Sequence, residues 1–128
     1  MIRDYLKGIQ HIGIPTRHFE ETKAFYEKLG FEAVHEPDPE KVGQRIMFLQ
    51  LQDLVLEFYE DEETRRDGAI NHIAMDCSDI EAAYEEAGKL GLRIVSKGIE
   101  ALPCWKNGIR FFIFEGPNGE RLEIDQKL

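Results

Sequence analysis

Cysteine is scarce in this chain, which carries only Cys77 and Cys104. Two thiols are too few for a disulfide framework and lack the close spacing of a thiolate metal site, so both are read as reduced. Basic residues are also in deficit, with 16 Lys and Arg against 25 Asp and Glu and a formal net charge of −9. That balance argues against nucleic acid and against an anionic membrane surface as partners. No apolar run approaches the roughly 20 residues of a membrane-spanning helix. The amino terminus, Met-Ile-Arg-Asp-Tyr-Leu-Lys, has neither the apolar stretch nor the small-residue cleavage site of a secretion signal, so a cytoplasmic location is expected. A chain of 128 residues, 42% of them hydrophobic, fits a single domain over 1–128 with a real core.

The sequence does contain an internal repeat. His11-Ile-Gly-Ile14 recurs as His72-Ile-Ala-Met75, and Lys28-Leu-Gly-Phe31 recurs as Lys89-Leu-Gly-Leu92, both at an offset of 61 (72 − 11 and 89 − 28). Leu56-Glu57-Phe58 matches Leu122-Glu123-Ile124 at an offset of 66 (122 − 56), as if five residues were inserted in the second half. Two copies are too few for a solenoid, so the repeat reads as two modules of one domain. The first spans about 6–59 and the second about 69–126. Between them lies a linker, 60–67, in which seven of eight residues are charged.

Each module reads as β-α-β-β-β. In the first, a strand over 8–14 is ended by Pro15, and a helix over 19–29 places Phe19, Tyr26 and Leu29 at helical spacing. Gly30 stands where a left-handed residue closes the helix. A strand over 31–34 precedes a loop at Glu36-Pro-Asp-Pro39, and strands over 45–51 and 54–59 form a hairpin. The second module repeats the order with a strand over 69–75, a helix over 80–90 and a strand over 92–95. Ser78 and Glu81 suggest a capping box, and Gly91 repeats the closing glycine. The insertion falls in 96–107. A last hairpin, 109–114 with 121–125, turns through Gly116-Pro-Asn-Gly119.

Side chains alternate along a strand. Leu54, Leu56 and Phe58 share one face, and Val55, Glu57 and Tyr59 the other. Leu122 and Ile124 oppose Arg121, Glu123 and Asp125. The apolar faces should pack on the helices. His11 and His72 likewise oppose their apolar neighbours, so all four polar residues project away from the helices. They meet in one cleft if the two sheets curl toward each other. A single histidine or glutamate on a strand is usually structural or solvent-facing. Recurrence of both types at matched positions points instead to a shared metal site at His11, Glu57, His72 and Glu123. Two imidazoles and two carboxylates suit Ni, Zn, Co, Mn or Fe in the divalent state. Four protein ligands on an octahedral ion leave two positions for a chelating substrate.

At these residues the chain resembles the vicinal oxygen chelate superfamily, the glyoxalase, bleomycin-resistance and dioxygenase group. The resemblance covers essentially the whole sequence. It rests on His11-Ile-Gly-Ile14, Phe25-Tyr26, Leu29-Gly30-Phe31, Leu54-Val-Leu-Glu-Phe58 and Asn71-His-Ile-Ala-Met-Asp76. It is completed by Phe114-Glu-Gly-Pro-Asn-Gly-Glu-Arg-Leu-Glu123, with Gly116 where the family usually has Asp. The implied fold is α+β, with two tandem βαβββ modules forming a curved mixed sheet around a metal-lined cleft. The four candidate ligands match the His-Glu-His-Glu set of glyoxalase I position by position. Extradiol dioxygenases lack a glutamate at the position of Glu57, and drug-sequestering members generally lack the set.

The resemblance therefore implies a metal-dependent lyase or isomerase acting next to the carbonyl of a small bidentate oxygen substrate. Glu123 is the expected base, while Glu57 holds the metal or serves the opposite face. A homodimer is expected, because modules in this family pair within one chain or across two. The glutathione-holding Arg and Asn of bacterial glyoxalase I correspond to Pro15 and Asp61, so the substrate stays open. The alternatives are a non-catalytic small-molecule binder, an iron-dependent dioxygenase and a metal-dependent epimerase. Trp105, in the inserted loop, lines the cleft mouth or anchors the loop. Phe112 and Phe114 form a pocket wall or belong to the core. His18 and His35 read as surface residues, and Arg45 and Arg110 as weaker candidates to hold an anionic group.

Overall fold

Alternation of apolar and polar residues draws each half of the chain into a sheet with one face dry enough to receive a helix. The computed structural model describes residues 1–5, 7–62, 68, 70–103 and 105–128. The chain divides into two compact units, Met1–Glu63 and Thr64–Leu128. The architecture is mixed α+β. The expected linker residues 63–67, the expected strand start at Ala69, and Cys104 lie outside the described residues.

The first unit opens on a 3-10 turn, Ile2–Tyr5, followed by β1 (Ile12–Thr16), α1 (Phe19–Lys28), β2 (Glu32–His35), α2 (Pro39–Val42), β3 (Ile46–Leu51) and β4 (Leu54–Glu60). Its sheet has the order β1-β4-β3-β2, with β1 parallel to β4 and the other neighbours antiparallel. The second unit contains β5 (His72–Asp76), α3 (Ile80–Lys89), β6 (Arg93–Ile94), β7 (Glu100–Leu102), β8 (Ile109–Glu115) and β9 (Arg121–Lys127). Its order is β5-β9-β8-β6, with β5 parallel to β9 and β7 paired to β8.

The expected apolar faces are the buried ones. Leu56, Phe58, Met47 and Leu49 are fully buried, as are Phe112, Phe114 and, to within one per cent, Leu122. On α1 the residues Phe19, Thr22 and Tyr26 turn inward, a helical stripe. The Tyr26 ring lies 4.7 Å from that of Phe58 and 5.3 Å from that of Phe31. On α3, Ile80 and Ala87 are buried, and Tyr84 meets Phe112 edge-on at 5.2 Å. Each fully buried aromatic or aliphatic side chain contributes about 1.5–3 kcal/mol relative to exposure. Phe112 and Phe114 thus belong to the core.

The two longer helices, α1 and α3, end in the same way. Gly30 N–H donates to the Glu27 carbonyl and Phe31 N–H to that of Tyr26, and Gly91 and Leu92 do likewise to Gly88 and Ala87. Gly30 and Gly91 take φ of 102° and 68°, conformations that a β-carbon would oppose. The buried Phe31 and Leu92 then lock each chain reversal against the helix.

Four expectations need correction. β1 begins at Ile12 and runs through Pro15 rather than stopping there, because β1 is an edge strand and tolerates a missing N–H. The loop at 36–39 leads into a helical turn, with Pro39 at its first position and the Asp38 side chain accepting the Glu40 N–H. The insertion holds a strand, β7, where only a loop was expected. Finally, Asp79 rather than Ser78 caps α3, accepting the Ala82 N–H at 3.1 Å. Gln126 of β9 completes that end: its Oε1 accepts the Ile80 N–H and its Nε2 donates to the Ser78 carbonyl.

Replacing Asp79 by Ala should therefore lower stability by about 1 kcal/mol. Ser78→Ala should change it by less than about 0.5 kcal/mol. Urea unfolding of the two variants distinguishes the caps, and the reverse order of effects would restore the capping box.

Candidate functional site

Strand register decides which side chains share the free face of each sheet. In the first unit Glu57 sits between Gly13 on β1 and Phe48 on β3. In the second, Glu123 sits between Ala74 on β5 and Ile113 on β8. Each carboxylate therefore has a small neighbour on one side and a large apolar one on the other. A β-carbon at position 13 would lie 3.5 Å from Glu57 Oε1, an ordinary van der Waals contact. His11 precedes β1, and its ring meets Phe48 edge-on at 5.5 Å. His72 opens β5.

The four expected residues come together as two pairs. His11 Nε2 lies 3.9 Å from Glu57 Oε2, and His72 Nε2 lies 3.5 Å from Glu123 Oε2. Both separations exceed the roughly 3.2 Å limit of a good hydrogen bond. They do fit two arms of one ion: donors each about 2.1 Å from a metal stand roughly 3.0–4.2 Å apart as their angle opens from 90° to 180°. A borderline nitrogen beside a hard oxygen is also the right donor chemistry for a first-row divalent metal. Among the described residues no third such side chain joins either pair.

Around each imidazole the arrangement also repeats. His72 Nδ1 lies 3.1 Å from Asn71 Oδ1, and His11 Nδ1 contacts Gln10 Oε1. His35, read from sequence as a surface residue, is exposed, but its ring stands 5.8 Å from Phe48, whose other neighbour is His11. His18 is half-exposed near Glu21.

Two further carboxylates share the face of Glu123. Asp125 follows it on β9, and Asp76 pairs with Asp125 across β5. Burial raises the Asp125 carboxyl above its ordinary pKa, Asp76 adds to the rise, and Lys127 opposes it. Burial likewise raises Glu123, with the neighbouring His72 working against the rise and Asp125 adding to it. Strand alternation alone could have singled out Asp76 and Asp125.

The arginines are already engaged. Arg45 stacks over the Phe19 ring at 3.9 Å and pairs with Glu20 in the first turn of α1. Arg110 pairs with Glu81 in the first turn of α3 at 2.6 Å. They tie strand to helix in both units. Trp105 is 64% exposed, adopts φ of 65°, and carries the Lys127 ammonium over its ring at 4.0 Å. Cys77 is a free thiol whose pKa is pushed up mainly by burial.

The raised Glu123 pKa has a sign that can be checked in metal-free protein. Near neutral pH the carboxylate is charged both folded and unfolded, and its burial then weakens the fold. Below the unfolded pKa, about 4.3, it is protonated in both states and the penalty vanishes. Glu123→Gln should thus raise the melting temperature at neutral pH, and the gain should fade on acidification through that range. A gain that persists at low pH would show that charge burial is not its cause.

Comparison with known proteins agrees with this fold. The model of the family described as Glyoxalase/Bleomycin resistance protein/Dioxygenase superfamily matches residues 8–124. The uncharacterized protein YwbC of Bacillus subtilis (strain 168) is 32% identical over 127 residues, which cover 94% of this chain and 98% of that one. A glyoxalase family protein from Enterococcus faecalis superposes with a TM-score of 0.79 at 24% identity, covering 94% of this chain and 98% of its own. The fosfomycin resistance protein FosX from Listeria monocytogenes, crystallised with Mn(II) and sulfate, gives a TM-score of 0.72 at 16% identity, covering 96% and 94%. At such identities the solved structures speak for the fold alone. The chain belongs to the glyoxalase/bleomycin resistance protein/dioxygenase superfamily.

Proposed function

We propose that this protein is a divalent-metal-dependent lyase or isomerase of glyoxalase I type. It moves a proton next to the carbonyl of a small substrate that presents two neighbouring oxygens. The observation that carries this reading is the duplicated His–Glu pair, each with a nitrogen-to-oxygen span suited to one ion. The Mn(II) found with FosX supports it as an example on the same fold. His11 and Glu57 from one unit, with His72 and Glu123 from another, would hold the metal, within one chain or across a homodimer. Ni, Zn, Co, Mn and Fe all suit that donor set.

A bound divalent ion withdraws electron density from a carbonyl and makes the adjacent C–H acidic. Glu123, leaving its place as a ligand, would take that proton on a carboxylate oxygen and return it to the neighbouring carbon, while the hydroxyl hydrogen passes to the former carbonyl oxygen. It suits the role as the more buried carboxylate, 14% exposed against 22% for Glu57. Glu57, between Gly13 and Phe48, serves the opposite side. Pro15 and Asp61 offer neither the guanidinium nor the amide that would hold glutathione. A hydroxy-carbonyl compound or a sugar therefore fits better than a glutathione adduct.

The test is to load metal-free protein with each of the five ions, measure stoichiometry, and follow solvent deuterium entering small hydroxy-carbonyl compounds. Metal uptake with exchange is expected, and Glu123→Gln should slow exchange by about 10²–10⁴-fold while the fold persists. Protein that binds none of the ions would be a small-molecule binder instead. Exchange at the wild-type rate in Glu123→Gln would remove that residue from proton transfer.

A further inference from the structure

The repeat extends one residue before each histidine, to a pair that differs in name but not in chemistry. Gln10 and Asn71 stand at the same offset of 61 (71 − 10) as the histidines that follow them. Both carry a side-chain amide, and in both units its oxygen meets Nδ1 of the next imidazole. An amide oxygen can only accept, so with the amides in this rotamer the hydrogen belongs on Nδ1, whereas a flipped amide would donate and call for the other tautomer. In free neutral histidine the hydrogen prefers the other nitrogen. We propose that Gln10 and Asn71 are positioning residues that hold His11 and His72 as Nδ1–H tautomers, leaving the Nε2 lone pairs directed to the Glu57 and Glu123 carboxylates.

The backbone explains how adjacent residues can do this. Within a strand, neighbouring side chains leave on opposite faces and cannot reach each other. Gln10 and Asn71 lie outside β1 and β5, where ladder pairing does not impose strict alternation, so each amide can sit beside the next ring. Glutamine has one methylene more than asparagine, and each reaches its own ring.

The consequence bears on the site. With hydrogen on Nδ1, neither Nε2 nor the facing carboxylate has a proton to share. Two acceptors then face each other at 3.9 and 3.5 Å, an arrangement that a cation between them would relieve. The opposite tautomer would let Nε2–H donate to the carboxylate and close the pair. The amides keep it open. This last step rests on the metal reading proposed above, whereas the tautomer assignment does not.

The two parts are tested separately. Long-range proton–nitrogen spectra of metal-free, nitrogen-labelled protein at about pH 8, above the ordinary histidine pKa, report the tautomer directly. His11 and His72 should each show a pyrrole-like Nδ1 and a pyridine-like Nε2, with His18 and His35 as internal references. Asn71→Leu should shift His72 toward Nε2–H without altering His11, and Gln10→Leu the converse. Asn71→Asp, which keeps the acceptor, should retain the wild-type tautomer. Nε2–H at both rings in the wild type would overturn the proposal. For positioning, Zn(II) affinity by chelator competition should fall about 10–100-fold in the Leu variants. Undiminished affinity alongside a shifted tautomer would overturn the positioning role. Wild-type protein that shows the Nδ1–H tautomers but binds no Zn(II) would sink the metal reading and leave the tautomer assignment standing.

Discussion

Tyr26 against Phe58 in one unit, and Tyr84 against Phe112 in the other, decide which way every strand faces. A strand's side chains alternate, so burying Leu56 and Phe58 under α1 sends Glu57 to the far side without further instruction. Leu122 does the same for Glu123. Parallel pairing with β1 and β5 then brings a histidine alongside each carboxylate, because His11, just before β1, and His72, at the start of β5, hold equivalent register positions. The candidate ligands sit on the faces that hydrophobic packing leaves over. A large change in either helix stripe would therefore disturb the site before any ligand is touched.

The pairing within the candidate site was largely legible in the sequence because duplication adds evidence that one copy lacks. Alternation assigned the faces, and the offset of 61 matched His11 to His72 and Gly30 to Gly91. What escaped belongs to local competition that patterns do not resolve. Ser78 and Asp79 are both good capping residues, and Asp79 prevails because its side chain meets the Ala82 N–H while Ser78 gives its carbonyl to Gln126. Pro15 reads as a strand breaker unless one knows that β1 lies at the sheet edge. The amides of Gln10 and Asn71 are unlike in name and adjacent to their partners, so neither spacing nor alternation marks them. Asp76 and Asp125 were visible as same-face residues, but their mutual influence depends on the register of β5 against β9.

Electrostatics follows from where the few cations go. With a net charge of −9, each arginine held by a carboxylate is one fewer available to a ligand. Arg45 and Arg110 are spent on the first turns of α1 and α3, where Glu20 and Glu81 also favour the positive end of the helix dipole. They serve the attachment of helix to sheet. The face of Glu123 carries the carboxylates of Asp76 and Asp125 together with the cations of Arg121 and Lys127.

Lys127 has a second neighbour of a different kind. Trp105 is the chain's single tryptophan, open to solvent, with the Lys127 ammonium resting on its indole. Lys127 lies on β9, on the face that also carries Asp125 and Glu123. The protein thus has a single indole fluorophore, coupled through one ammonium to the strand of its candidate base. Its emission offers an optical readout of events along that strand, without any introduced label.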